Sequence, residues 1–208
     1  MDPEWANKNL NTIRTLMERA VVYRRALAAV MIAVGCIGLF CSIIGFTLLS
    51  HTSISELILY WMIVGLISLI IGFVLIRRQA LKAKEAFWSP PTRRIAQAML
   101  PCMTTGSLIG AAAVVEPEIQ LVAFWIPALW MTLFGCAIHA AGFFMSRGIK
   151  LFGWLFILLG MAVFSGFVAT DHQPTTAQLH LLMGTVFGGG HFAYGIYLHF
   201  TENRKLSQ

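Results

Sequence analysis

Six runs of 20 to 24 residues in this chain contain no Asp, Glu, Lys or Arg. They span residues 26–49, 57–76, 95–115, 121–144, 151–170 and 179–200. As helices they would be roughly 30 to 36 Å long, enough to cross a bilayer core. Lipid cannot satisfy free backbone N–H and C=O groups, so spanning runs of this kind must be helical. The pattern predicts an all-α integral membrane six-helix bundle. Composition agrees with that class. Only 12% of residues are charged, against about a quarter in soluble domains, too few to cover a water-facing surface.

The charges outside the runs predict the orientation. All fifteen Lys and Arg fall in four places. Five lie in residues 1–25, six in the loop 77–94, two between runs four and five (Arg147 and Lys150), and two in the tail 201–208 (Arg204 and Lys205). The three alternate loops hold none and carry Glu56, Glu116, Glu118 and Asp171 instead. The positive-inside rule then places the N and C termini and the even-numbered loops in the cytoplasm, N-in/C-in, in a cell inner membrane. The net charge of +6 is thereby assigned to anionic lipid on the cytoplasmic face, and nucleic acid is excluded as a partner.

Residues 1–25 read as an amphipathic N-terminal segment, with Leu10, Ile13, Met17, Ala20 and Val21 at helical spacing. It either lies at the membrane surface or prolongs the first span into the cytoplasm. Run one is too long for a signal-peptide core and reads as a true span. In the loop 77–94, the segment RRQALKAKEAF has good helix formers and extends span two. Ser89-Pro90-Pro91 ends that helix and starts span three, with Ser89 as cap. Pro101 and Pro127 each free a carbonyl inside a span, those of Gln97 and Ala123, and Thr104, Thr105 and Ser107 are placed to re-satisfy groups in span three. The four cysteines all lie inside apolar runs without a C-x-x-C, which fits buried free thiols better than a disulfide framework or a zinc site.

With no Asp, Glu, Lys or Arg inside the runs, the titratable groups at depth are histidines and cysteines. Proton-coupled transport and most intramembrane catalysis need more than these, and no G-x-S-x-G is present. Run six, LHLLMGTVFGGGHFAYGIYLHF, organises the chain. On a regular helix His180 and His191 are only about 20° out of line, so they share one stripe with Gly184, Phe187 and Gly195 near it and Gly188 at its edge. Gly184, Gly188 and Gly195 are candidate packing residues. His191 sits near mid-membrane, roughly 18 Å from the outer end of its run. His139 lies about 6 Å from that depth, so the pair is a candidate set of axial ligands to haem or another porphyrin. The alternative is that His191 bonds a carbonyl or hydroxyl across a helix interface, with no cofactor at all. His51, His172 and His180, with the acidic residues of the same face, are candidate ligands for a divalent metal, although no local chelate spacing supports them.

Leu133-Phe134-Gly135, then Ala141-Gly142-Phe143-Phe144-Met145-Ser146-Arg147 with Gly153 and Gly160, resembles a pattern in a group of uncharacterised bacterial integral membrane proteins. Gly189-Gly190-His191-Phe192-Ala193-Tyr194-Gly195 and the entry Ile13 to Ala20 are similar to it as well. The resemblance implies about six spans and a bacterial inner-membrane setting, gives weight to His191, and carries no activity. Phe134, His139 and Met145 depart from that pattern.

Three functions are compatible with these features. The first is a non-catalytic protein acting through helix–helix contacts, as a small subunit or regulator of a membrane complex, or as a homo-oligomer. The second is a porphyrin-binding protein using His191, with or without His139. The third is a transporter of a small neutral or lipidic solute.

Overall fold

The computed structural model describes residues 27–82, 84, 87–116, 123–145, 147–170 and 173–206. Among the described residues there are six helices and no strand. Helix α1 is Leu27–Leu48, α2 is Ile54–Lys82 and α3 is Pro90–Val115. Helix α4 is Ile126–Ala141, entered through a 3₁₀ turn at Ala123–Trp125 and left through another at Gly142–Phe144. Helix α5 is Arg147–Thr170. Helix α6 starts as Thr176–Met183, passes through a π-helical segment Gly184–Gly189 and continues as Gly190–Leu206. Helices α1 to α5, with α4 taken together with its flanking 3₁₀ turns, are each long and apolar enough to cross a membrane. The amphipathic segment 1–25 lies outside the described residues.

Helices α2, α3, α5 and α6 begin earlier than their apolar runs, and capping boxes explain α2 and α6. Ser53 N–H donates to Glu56 Oε2 at 2.7 Å, and Glu56 N–H donates to Ser53 Oγ at 3.3 Å. Thr175 and Gln178 make the same reciprocal pair at the head of α6. These are capping boxes, which satisfy two otherwise orphaned N–H groups each. The extension of α2 through RRQALK follows the sequence expectation. Helix α6 runs on past Phe200 to Leu206, so the tail is helical through that residue.

The two prolines differ. Pro101 lies inside α3, but Thr105 Oγ1 donates to the Pro101 carbonyl (2.8 Å) and Thr104 Oγ1 to that of Leu100 (2.7 Å). These hydroxyls therefore bond the turn after the freed Gln97 carbonyl. Pro127 sits in the first turn of α4, where its missing N–H costs nothing, so it opens a helix and does not interrupt one as the sequence suggested. Ser89 caps α3 by position, yet its hydroxyl pairs with that of Thr92 at 2.9 Å and makes no side-chain cap bond.

In a bilayer, lipid tails are as apolar as leucine, so helices associate by close packing and polar bonds. The contacts here are of that kind. Trp130 Nε1 on α4 donates to the Gly106 carbonyl of α3 at 2.8 Å. Helices α4 and α5 meet at Gly135 and Gly153: a methyl added at Gly153 would lie 2.6 Å from the His139 backbone nitrogen. Large apolar side chains are left on outward faces, among them Leu48, Leu66, Leu69, Leu108, Leu151 and Leu158. Their number, spread over every span, is the surface of a protein solvated by hydrocarbon.

Candidate functional site

Helix α6 touches α1, α2, α4 and α5, and its π-helical segment decides what each face meets. A π turn accommodates one extra residue, so everything after it lags the regular helix by roughly 100°. Gly184, Gly188 and Gly189 remove side-chain crowding there. Thr185 Oγ1 takes up the Leu181 carbonyl at 2.8 Å, a back-bond that loosens helical geometry. His180 and His191 therefore end up roughly 80° apart instead of sharing a stripe. This corrects the sequence expectation, and the two imidazoles occupy different environments.

His180 is fully buried and faces α1 and α2. The Trp61 indole Nε1–H donates to its Nδ1 at 3.1 Å. The Ser42 hydroxyl donates to the His180 carbonyl at 2.8 Å, and the Tyr60 hydroxyl to the Cys41 carbonyl at 2.7 Å. An indole is a donor only, so Nδ1 must be the acceptor and Nε2 carries the proton. Nε2 is buried and has no hydrogen-bond partner among the described residues. In this tautomer His180 offers a metal no lone pair.

His191 is buried against α4 and α5. Its ring lies 5.2, 5.3 and 5.6 Å from those of Phe134, Phe152 and Phe156. Its Nδ1 is 2.6 Å from the Phe187 carbonyl, one turn back in α6, so the bond lies within its own helix and not across an interface as the sequence led one to expect; the carbonyl is an acceptor, so here Nδ1 carries the proton and Nε2 the lone pair. The two histidines thus hold opposite tautomers.

The structure does not bring His139 to His191. On α4, Phe134 points at His191, and His139 is five residues on, roughly 140° round the helix. Its ring packs instead against Phe143 and Trp154, with Nδ1 a long 3.4 Å from the Lys150 carbonyl. Lys150 Nζ sits 3.7 Å over the Phe143 ring. Of the candidate metal ligands, His51 is exposed in the α1–α2 turn, His180 is buried behind Trp61, and His172 lies outside the described residues. Among the described residues no three His, Cys, Asp or Glu side chains gather in one place.

Three of the glycines of α6 meet α1. Gly184 backs onto Ser42, Gly188 onto Gly38 and Leu39, and Gly195 onto Met31 and Ile32. On α1, Gly35 backs onto Phe192 and Gly45 onto the His180 ring. The partner set Gly35, Gly38, Ser42 and Gly45 escaped the sequence reading. Its signal was present, since small residues three and four apart mark one helix face. Trp61 had no such signal, because nothing local in α2 points to a histidine 119 residues away.

Comparison with family models, with curated proteins and with solved structures found no match to this chain.

Proposed function

We propose that this chain is a non-catalytic six-span protein of a bacterial inner membrane that acts through helix–helix contacts, as a small subunit or regulator of a membrane assembly. Helix α6 serves as its sixth span, both termini face the cytoplasm, and the chain belongs with the uncharacterised bacterial membrane proteins it resembles. One observation carries the reading: α6, which holds both buried histidines, is taken up by packing against α1, α2, α4 and α5. Cross-linking in native membranes tests it. A discrete species of this chain with itself or one other protein is expected; an uncross-linked monomer throughout argues against the proposal.

Porphyrin binding at His191 stays as a second reading because of its tautomer. An Nδ1–H bonded to a carbonyl leaves Nε2 poised as a ligand, the arrangement common to metal-bound imidazoles. The contact reading expects the purified protein to show no Soret band. It also expects His191→Leu to cost on the order of 1 kcal/mol of stability, the worth of one intramolecular hydrogen bond. A Soret band lost in that variant transfers the function to the second reading.

Sidedness has its own test. Lys84, exposed just past α2, should react with a membrane-impermeant amine reagent in inside-out vesicles and stay unmodified in right-side-out ones. The reverse result inverts the topology.

A further inference from the structure

We propose that Cys102 and Cys136 form a redox-active dithiol at the seam between α3 and α4, which a quinone dissolved in the bilayer oxidises to a disulfide. The contacts between the two helices fix their register. The Trp130 indole donates to the Gly106 carbonyl at 2.8 Å. A methyl on Gly106 would meet Trp130 Cδ1 at 3.4 Å and Leu133 Cδ1 at 3.5 Å, and one on Gly110 would meet Trp130 Cζ2 at 2.7 Å. The short connection 116–122 makes the two spans antiparallel neighbours, so a step back along α3 matches a step forward along α4. Cys102 is four residues before Gly106, and Cys136 is three after Leu133. With Gly106 level with the midpoint of Trp130 and Leu133, the two cysteines lie within about 2 Å of one depth. Rotation agrees. Cys102 is about 40° from Gly106 round α3, Cys136 about 60° from Leu133 round α4, and in an antiparallel pair both displacements go to the same side of the seam. Gly110 and Trp130 are displaced to the other side, and they touch there. The two thiols are close enough for charge on one to be felt at the other.

The surroundings select the chemistry. Both cysteines are free and only half-buried, so both can be approached from the lipid. Cys102 is the thirteenth of the 26 residues of α3, roughly 18 to 20 Å from its two ends. That depth is beyond a soluble disulfide and within reach of a hydrophobic quinone. A monovalent metal between two thiolates would leave a net charge in hydrocarbon, which is costly. A divalent one would need further ligands, and among the described residues no third His, Cys, Asp or Glu joins the pair. Dithiol and disulfide are both neutral. In the reaction one sulfur adds to the quinone ring and the other displaces it. Two S–H bonds break and one S–S bond forms, and the quinone leaves as hydroquinone with the two electrons and two protons. Helices packed about 8 to 10 Å apart put the two Cα atoms on the order of 7 Å from each other, the outer edge of disulfide geometry. Closing the bond therefore draws α3 and α4 together. Cys36 and Cys41, five residues apart on α1 and roughly 140° round it, do not face each other.

The full-length protein is reduced with tributylphosphine, reconstituted in phosphatidylcholine vesicles and treated with decylubiquinone. Remaining thiols are blocked with N-ethylmaleimide, and the peptides are mapped by mass spectrometry. Cys102 and Cys136 should be joined within one chain, with one hydroquinone formed per bond, while Cys36 and Cys41 carry the maleimide. Cys102→Ser should abolish the linked peptide, return hydroquinone formation to background and leave Cys136 alkylated. Should Cys102→Ser fail to fold, Cys136→Ala is read identically. A parallel sample receives iodine, a lipid-permeant oxidant that joins any adjacent thiols. A bond formed with iodine but not with the quinone overturns the redox assignment. No bond with either means that the two thiols do not meet and overturns the proposal whole. A bond between two chains, or one that includes Cys36 or Cys41, overturns it as well.

Discussion

Gly188→Val will cost the bundle on the order of 3 kcal/mol, the upper end of ordinary overpacking. The reason is that the atoms in the way are backbone. A methyl on Gly188 would lie 2.6 Å from the Leu39 nitrogen and 2.8 Å from the Gly38 carbonyl carbon. A methyl on Gly38 would in turn lie 2.8 Å from the Gly188 Cα. No rotamer change relieves either contact, so α1 and α6 must separate. Separation then pulls Ser42 from the His180 carbonyl and His180 from Gly45. The control is Gly65→Val, where nothing lies within 4 Å and the side chain enters lipid. Unfolding in mixed micelles of non-ionic detergent and increasing SDS compares the two. The Gly188 variant should unfold at markedly lower SDS fraction, and Gly65→Val should match the parent. Equal midpoints would mean that α1 and α6 are not in backbone contact.

The same residues show how far the sequence can be read. Gly188, Gly189 and Gly190 are one indistinguishable triplet on paper. In the structure Gly188 abuts α1, a methyl on Gly189 would have only its own helix's Gly184 carbonyl at 4.0 Å, and one on Gly190 would touch the Phe156 ring at 3.4 Å. The assignment depends on the π turn, and a periodicity argument at 100° per residue carries no term for an inserted residue. The apolar runs were legible because lipid imposes one demand on every backbone group along a span. The helix starts at Ile54 and Thr176 were legible too, in Ser53-x-x-Glu56 and Thr175-x-x-Gln178, but hydropathy drew attention to the greasy residues that follow. Pro127 misled for the opposite reason: it lies inside an apolar run, yet the chain reaches it through a 3₁₀ turn, so it opens a helix. The histidine environments were least legible. They are set by Trp61, Phe134, Phe152 and Phe156, which belong to three other helices and are brought in by tertiary packing alone.

Trp61→Phe will destabilise the protein by about 2 kcal/mol, the cost of stranding a buried acceptor without its donor. His180→Leu will cost less, although it deletes a whole buried polar side chain. The wild-type imidazole has one nitrogen satisfied by Trp61 and one, Nε2–H, with no partner among the described residues. Replacing the ring by an apolar group forfeits the first bond and relieves the second burden. The indole N–H loses its acceptor in that variant, and a looser apolar fit adds some cost. The double variant isolates the bond itself. Trp61→Phe made in the His180→Leu background should cost only lost packing, so the two changes should be non-additive by on the order of 1 kcal/mol, the scale of hydrogen bonds between membrane helices. The cycle is measured by the same SDS unfolding. Additive changes would mean that Trp61 and His180 do not interact. A His180→Leu penalty larger than that of Trp61→Phe would mean that Nε2–H has a strong partner, and His180 would then be the better candidate for a polar ligand site than His191.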